Sequence, residues 1–164
     1  MSEVDELIAR FGLLPLPQEG GRFAPVWRSP ERAAGPGGAE RAAASSILYL
    51  LAAGEFSALH RLCGDEVWQF HAGDALELFR LDPAGVGGWV RLGPAVAADD
   101  APQVVVPRGH WQGARLAPGG RWALVGCTLV PGWDEADFAL GERAALLAAF
   151  PQWAGAIVAL TRQA

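Results

Sequence analysis

Apolar positions change their rhythm twice along this chain. Over residues 4–12, Val4, Leu7, Ile8 and Phe11 recur at helical spacing and Gly12 follows, so the pattern predicts a short helix closed by that glycine. Prolines then punctuate "LPLPQEGGRFAPVWRS", which reads as extended chain, and the small polar stretch "SPERAAGPGGAERAAAS" reads as a mobile loop. From Ser46 to about Leu129 the rhythm is that of strands. Short apolar segments alternate with turn signals: "SILYLLA", "FSALHRL", "EVWQFHA", "ALELFRL", "WVRLG", "QVVVP", "HWQGARL" and "RWALVGCTLV". Such spacing predicts an all-β sandwich or barrel. "ILYLLAA" would suit a helix on propensity, but its place ahead of a run of strands favours a strand. "LDPAGVGGW" and "LAPGGRW" are expected to close hairpins.

A helical rhythm returns near the C-terminus. "ADFALGERAALLAAF" is rich in helix formers, Pro151 interrupts it, and "PQWAGAIVALTR" restarts with that proline near a helix start. Trp153, Ile157 and Leu160 then share one face. The chain is expected to form one domain, with an N-terminal helix and arm over 1–45, a barrel over about 46–133 and a helical segment over about 134–164 that covers one end or face of the barrel.

Composition narrows the class. In 164 residues, 51% are hydrophobic and 19% charged, which excludes disorder and allows a substantial core. The net charge of −5 with no basic run argues against nucleic acid as a partner. No apolar run approaches the roughly 20 residues of a membrane span. The acidic start "MSEVDELIARF" lacks the form of a signal peptide. Cys63 and Cys127 make no Cys-x-x-Cys pair, so a reduced, cytoplasmic protein is expected.

The candidate chemistry lies in "GEFSALHRLCGDEVWQFHAGD", residues 54–74. Strand parity sets Glu66, Trp68 and Phe70 on one face, with Val67, Gln69 and His71 on the other, and Phe56, Ala58, His60 and Leu62 together on a face of their own. If both sets point inward, His60 and Glu66 meet in a pocket walled by Trp68 and Phe70. An imidazole and a carboxylate in apolar surroundings are costly unless paired or functional. A plainer reading stands beside this one: His60 as a hydrogen-bonded core residue, Trp68 and Phe70 as core filling.

The spacing Gly54-x5-His60-x-Leu62-x3-Glu66-x6-Gly73 resembles the first motif of the cupins, which normally has His at both the His60 and Leu62 positions. The second cupin motif is matched in part by Pro107 and Gly109, with Gln112 where its His would stand and Leu116 where its Asn would stand. Further segments along nearly the whole chain resemble one uncharacterised cupin subfamily, a domain of unknown function: "LIARFGLLPLP", "EGG" at 19–21, "WRS" at 27–29, "PQVVVPRGHWQGA", "ALVGCTLVPGWDEADF" and "ERAALLAAFPQ". The subfamily usually has Pro before Glu-Gly-Gly and Tyr after it; here Gln18 and Arg22 stand in those places. The resemblance implies a jelly-roll (double-stranded β-helix) barrel. It also implies a homodimer with exchanged N-terminal strands, for which "LPLPQEGGRFAPVWRS" is the candidate arm. It implies no agreed reaction.

Cupin metal sites use three His and one Glu, whereas the matched positions here offer His60, Glu66 and Gln112. Leu62 supplies no ligand. His71 has the wrong parity, and His110 is displaced from Gln112 by about 6.6 Å along an extended strand. Cys63 and Cys127 read as small buried hydrophobes, and "DEADF" as a solvated loop or helix cap. The expectation is therefore no tightly bound metal and no other cofactor; if a metal were held, His60, Glu66 and Gln112 would hold it. Three functions stay open. One is binding of a small polar or sugar-like ligand by His60, Glu66, Trp68, Phe70 and Gln112. Another is a metal-independent isomerase or epimerase with His60 as base and Glu66 as its partner or the acid. The third, weakened by Leu62, is a metal-dependent enzyme.

Overall fold

The computed structural model describes residues 2–163. Helix α1 (Glu3–Phe11) begins in a reciprocal capping box, Ser2 bonding the Asp5 amide while the Asp5 carboxylate accepts from the Ser2 amide. It ends at Gly12, whose φ of 63° gives the left-handed turn expected of a terminating glycine. The next strands are β1 (Leu14–Pro15), β2 (Arg22–Arg28), β3 (Arg32–Ala34), β4 (Glu40–Ala42) and β5 (Ser45–Ala52). The central run follows as β6 (Phe56–Leu62), β7 (Asp65–Gly73), β8 (Leu76–Leu81), β9 (Gly87–Leu92), β10 (Gln103–Val106), β11 (Trp111–Leu116) and β12 (Trp122–Val130). Strand β13 (Phe138–Leu140) and helices α2 (Arg143–Ala149) and α3 (Ala154–Ala159) complete the described chain.

Two antiparallel sheets face each other in a jelly roll. One has the order β1-β2-β5-β12-β7-β10 and the other β13-β6-β11-β8-β9. Alternation along each strand supplies the layer between them. Tyr49 and Leu51 of β5, Trp68 of β7, Leu76 and Leu78 of β8, Val104 and Val106 of β10, and Val125 and Cys127 of β12 are all buried there. The Tyr49 and Trp68 rings meet edge to face, 5.8 Å apart at 87°. Each outer face is covered separately. The apolar stripe of α1 (Val4, Leu7, Ile8, Phe11) packs on Leu50, Trp122 and Leu124. Helices α2 and α3 lay Leu146, Ile157 and Leu160 on Leu59, Phe79 and Leu81.

Four local expectations are corrected. The stretch read as a mobile loop forms the β3–β4 hairpin, tied down where Arg41 donates to both oxygens of Asp137 at 2.8 and 3.0 Å. The "LAPGGRW" turn closes no hairpin, because it carries the chain from β11 in one sheet to β12 in the other. The beginning of the expected C-terminal helix is strand β13, which pairs along β6, and helix starts only after Glu142 caps it. Finally, β6 carries a bulge: Gln112 pairs with His60 but Ala114 pairs with Ser57. The extra residue flips parity. Phe56 therefore packs outward against the helices, and Ser57 rather than Phe56 shares the inward side with His60.

Candidate functional site

Four of the five expected site residues meet across the interior. His60 and Gln112 are register partners on β6 and β11 of one sheet. Glu66 and Trp68 project from β7 of the other. Gln112 ties the sheets together: its Nε2 donates to Glu66 Oε2 at 2.6 Å, and its Oε1 accepts from Trp68 Nε1 at 2.9 Å. Because an indole only donates and Glu66 offers an acceptor, the amide can point one way only. Phe70 lies further along β7, half-buried against the same apolar layer.

His60 is 2% exposed. Its Nδ1 lies 2.8 Å from the Ala58 carbonyl oxygen. A carbonyl can only accept, so Nδ1 carries a proton, and in the neutral ring Nε2 presents a lone pair. Phe138 of β13 stacks on the imidazole, centroids 5.5 Å apart.

A sixth residue was not anticipated in this role. Glu19, in the loop between β1 and β2, sends its carboxylate to the inward side. Its Oε1 accepts from Ser57 Oγ at 2.6 Å and its Oε2 lies 3.9 Å from His60 Nε2. The loop is clamped from several directions. Arg162 donates to the Gln18 and Glu19 carbonyls, the Ala58 amide donates to the Glu19 carbonyl, and the Tyr49 hydroxyl donates to the Gly20 carbonyl. Gly20 and Gly21 have φ of 102° and 70°, and a Cβ on either would collide with the β5 and β6 backbone. The two adjacent glycines after Glu19 were the available sequence signal: such a pair marks a loop pressed against a neighbour.

The electrostatics follow from burial. Desolvation raises the Glu66 carboxyl from an ordinary value near 4.5 to about 7; the charge of Glu19 adds to the rise, while His60, Gln112 and Trp68 oppose it. Burial likewise pushes the Tyr49 hydroxyl and the Cys127 thiol well up, the nearby carboxylates adding to it. Cys127 is buried as expected, but Cys63 is exposed in the turn between β6 and β7. His71 faces out over Gly126, and His110 lines a surface recess of about 390 Å³. In "DEADF", Asp134 caps a short turn and Asp137 holds Arg41.

The donor set does not fit the metal site of the cupin motif. Leu62 is buried hydrocarbon where a His would be, and both ends of the Gln112 amide are engaged by neighbours. Among the described residues no group of three or more His, Cys, Asp or Glu side chains is arranged to hold a metal ion. A groove of about 630 Å³ opens at one end of the jelly roll, lined by Arg61, Leu62, Cys63, Arg108, Asp137 and Phe138 among others. It does not include His60, Glu66, Trp68 or Gln112, but Phe138, which lines it, stacks on His60.

Residues 5–141 match the Cupin_5 family model, described as cupin superfamily (DUF985). The chain belongs to this family. The fold agrees along its whole length with a hypothetical protein from Leishmania major, at 31% identity and a TM-score of 0.92, covering 99% of this chain and 100% of that one. A protein from Shewanella oneidensis is similar at 36% identity and a TM-score of 0.89, with 100% of both chains covered. More distant, and informative on fold alone, is a cupin 2 domain-containing protein from Halorhodospira halophila: 14% identity, TM-score 0.59, 88% of this chain and 85% of that one. No curated protein matches this chain. Among the described residues no helix is long and apolar enough to cross a membrane.

Proposed function

We propose that this Cupin_5 protein binds a small polar or sugar-like ligand at the cluster of His60, Glu66, Trp68 and Gln112, with Phe70 further along β7 as an outer contact, and without a tightly bound metal. The observation that carries this reading is the burial of an imidazole beside carboxylates in an otherwise apolar layer, with no arginine bonded to either Glu19 or Glu66. Such groups are expensive to bury, and a fold that needed only a core would use hydrocarbon there. Trp68 closes the buried side of the cluster, 1% exposed and with its indole N–H engaged by Gln112, so its part in binding is to hold Gln112 and the pocket wall in place. The test starts from a binder found by thermal-shift screening, followed by calorimetry. Glu66→Gln is expected to weaken a donor-bearing ligand by roughly 1.5–3 kcal/mol, the worth of a charge-assisted hydrogen bond. Trp68→Leu is expected to weaken it as well. Unchanged affinity in both folded variants would place the binding site elsewhere.

A second reading has an observation of its own. A carboxyl held near 7 beside an imidazole whose Nδ1–H is held by the Ala58 carbonyl, leaving Nε2 as the atom that takes up a proton, is the pairing needed to remove a proton from one atom and return it to another. In a metal-independent isomerase or epimerase, His60 Nε2 would take the proton and protonated Glu66 would donate one. Exchange of a substrate C–H proton with solvent deuterium, lost in His60→Ala, tests this. The metal-dependent alternative has the least support, because Leu62 and Gln112 leave too few ligands. Elemental analysis finding one equivalent of zinc, iron, manganese or nickel after dialysis against a chelator would reverse that order. We also propose that the chain acts as one cupin unit, located in the cytoplasm and assembled as a homodimer.

A further inference from the structure

Three hydrogen-bond acceptors in the cluster have no partner among the described residues. In the neutral ring His60 Nε2 presents a lone pair, because Nδ1 holds the proton against the Ala58 carbonyl. Glu19 Oε2 lies 3.9 Å from it, too far for a direct hydrogen bond, while Oε1 is taken by Ser57. Glu66 accepts from Gln112 at Oε2, with the Trp68 indole N–H also favouring its ionised form, and its Oε1 has no close donor. His60 is 2% and Glu66 8% exposed, so both are side chains more than nine-tenths buried with an open acceptor. Every fully enclosed side-chain nitrogen or oxygen among the described residues does have a partner. The open acceptors therefore border residual space rather than solid core. The donors nearby are spent: Gln112 Nε2 on Glu66, Trp68 Nε1 on Gln112, Ser57 Oγ on Glu19 and the Tyr49 hydroxyl on Gly20. No arginine side chain bonds either carboxylate, and the sequence contains no lysine.

We infer that Glu19 is a further ligand-contacting residue of this site, and that the site takes ligands presenting hydroxyl or ammonium donors while rejecting carboxylates and other anions. This rests on the ligand-binding reading above and specifies its chemistry. A donor placed between Glu19 Oε2 and His60 Nε2 bridges a gap the protein leaves open. Above about pH 7, with Glu66 ionised and the His60 ring neutral, a carboxylate ligand placed there would face two carboxylates and a lone pair with no cation beside them.

Ethanolamine, ethylene glycol and glycolate share one two-carbon frame and differ in a single end group. Each is titrated into the protein at about pH 8, where Glu66 is ionised, and at equal ionic strength, and the Trp68 indole N–H and His60 ring resonances are followed by NMR. Ethanolamine and ethylene glycol are expected to shift these signals saturably and glycolate to leave them in place. Glu19→Gln is expected to weaken ethanolamine by about 10-fold, as loss of a charge-assisted contact predicts. Should that variant not fold, Ser57→Ala, which frees the carboxylate from its orienting hydroxyl, is expected to weaken it several-fold. Glycolate binding as well as the other two would overturn the inferred selectivity while leaving the ligand site standing. Unaltered ethanolamine affinity in Glu19→Gln would remove Glu19 from the site. Silence of all three probes would overturn the inference outright, whatever larger binder the screen had found.

Discussion

At the scale of single residues, Glu66 links the interior to pH. Its carboxyl titrates near 7 in the folded chain and near 4.5 when exposed, so the folded state keeps this proton over a range where the unfolded state has lost it. Stability from this group is therefore full below about pH 4.5, falls as pH rises through about 7, and is gone above. The difference amounts to on the order of 3 kcal/mol. Glu66→Gln removes the titration and keeps the shape. Urea unfolding is expected to find the variant more stable than the wild type at about pH 8, with the gap closing toward about pH 4.5. His60 on β6, Glu19 in the β1–β2 loop and Cys127 on β12 all couple to this carboxyl. They are present in both proteins, so the difference between the two curves reads Glu66 together with its coupling to them. A gap that stays constant across this range would mean that burying the carboxyl carries no such cost.

At the scale of elements, the β1–β2 loop does for Glu19 what strands do for the other site residues. Its register depends on Gly21, where a Cβ would lie 2.7 Å from the Tyr49 hydroxyl and 2.8 Å from the Leu50 carbonyl oxygen. Gly21→Ala is expected to cost about 1–3 kcal/mol, because the loop must lift from β5. Gly37→Ala, at a similar positive φ of 63° with nothing within 4 Å, is expected to cost only the left-handed preference, about 1 kcal/mol. Equal losses at the two positions would show that the loop does not press on its neighbour. The loop also explains what the sequence could and could not tell. Period-2 alternation revealed the strands and set Glu66 and Trp68 inward, since each depends only on its own neighbours along β7. Glu19 reaches His60 from 41 positions away in the sequence, and no local pattern encodes that approach. The bulge in β6 was equally hidden: it flips Phe56 outward and Ser57 inward, and only pairing with β11 reveals the extra residue. The same limit applies to "DFAL", whose helix-forming residues are recruited to β13 by the free edge of β6.

At the scale of the molecule, both sheets bury their inner faces on each other and parts of their outer faces under α1 or α2 and α3. Apolar surface nevertheless remains around the arm. Val26 and Trp27 of β2 are 60% and 51% exposed, and Trp133 is 48% exposed. Trp133 lies close to the end of β2, since Arg28 donates to its carbonyl at 2.9 Å and its amide donates to Ser45, the register partner of Arg28. Two exposed tryptophans at neighbouring places form a surface that water disfavours and a second copy could cover. The proposed homodimer accounts for them, whether the arms are exchanged or the faces simply abut. Light scattering at micromolar concentration is expected to give twice the chain mass of 17.3 kDa. Trp27→Arg places a charge on that surface without touching the core and is expected to give a folded monomer. A wild-type monomer at that concentration would remove the dimer. A Trp27→Arg protein still dimeric would move its interface away from the arm.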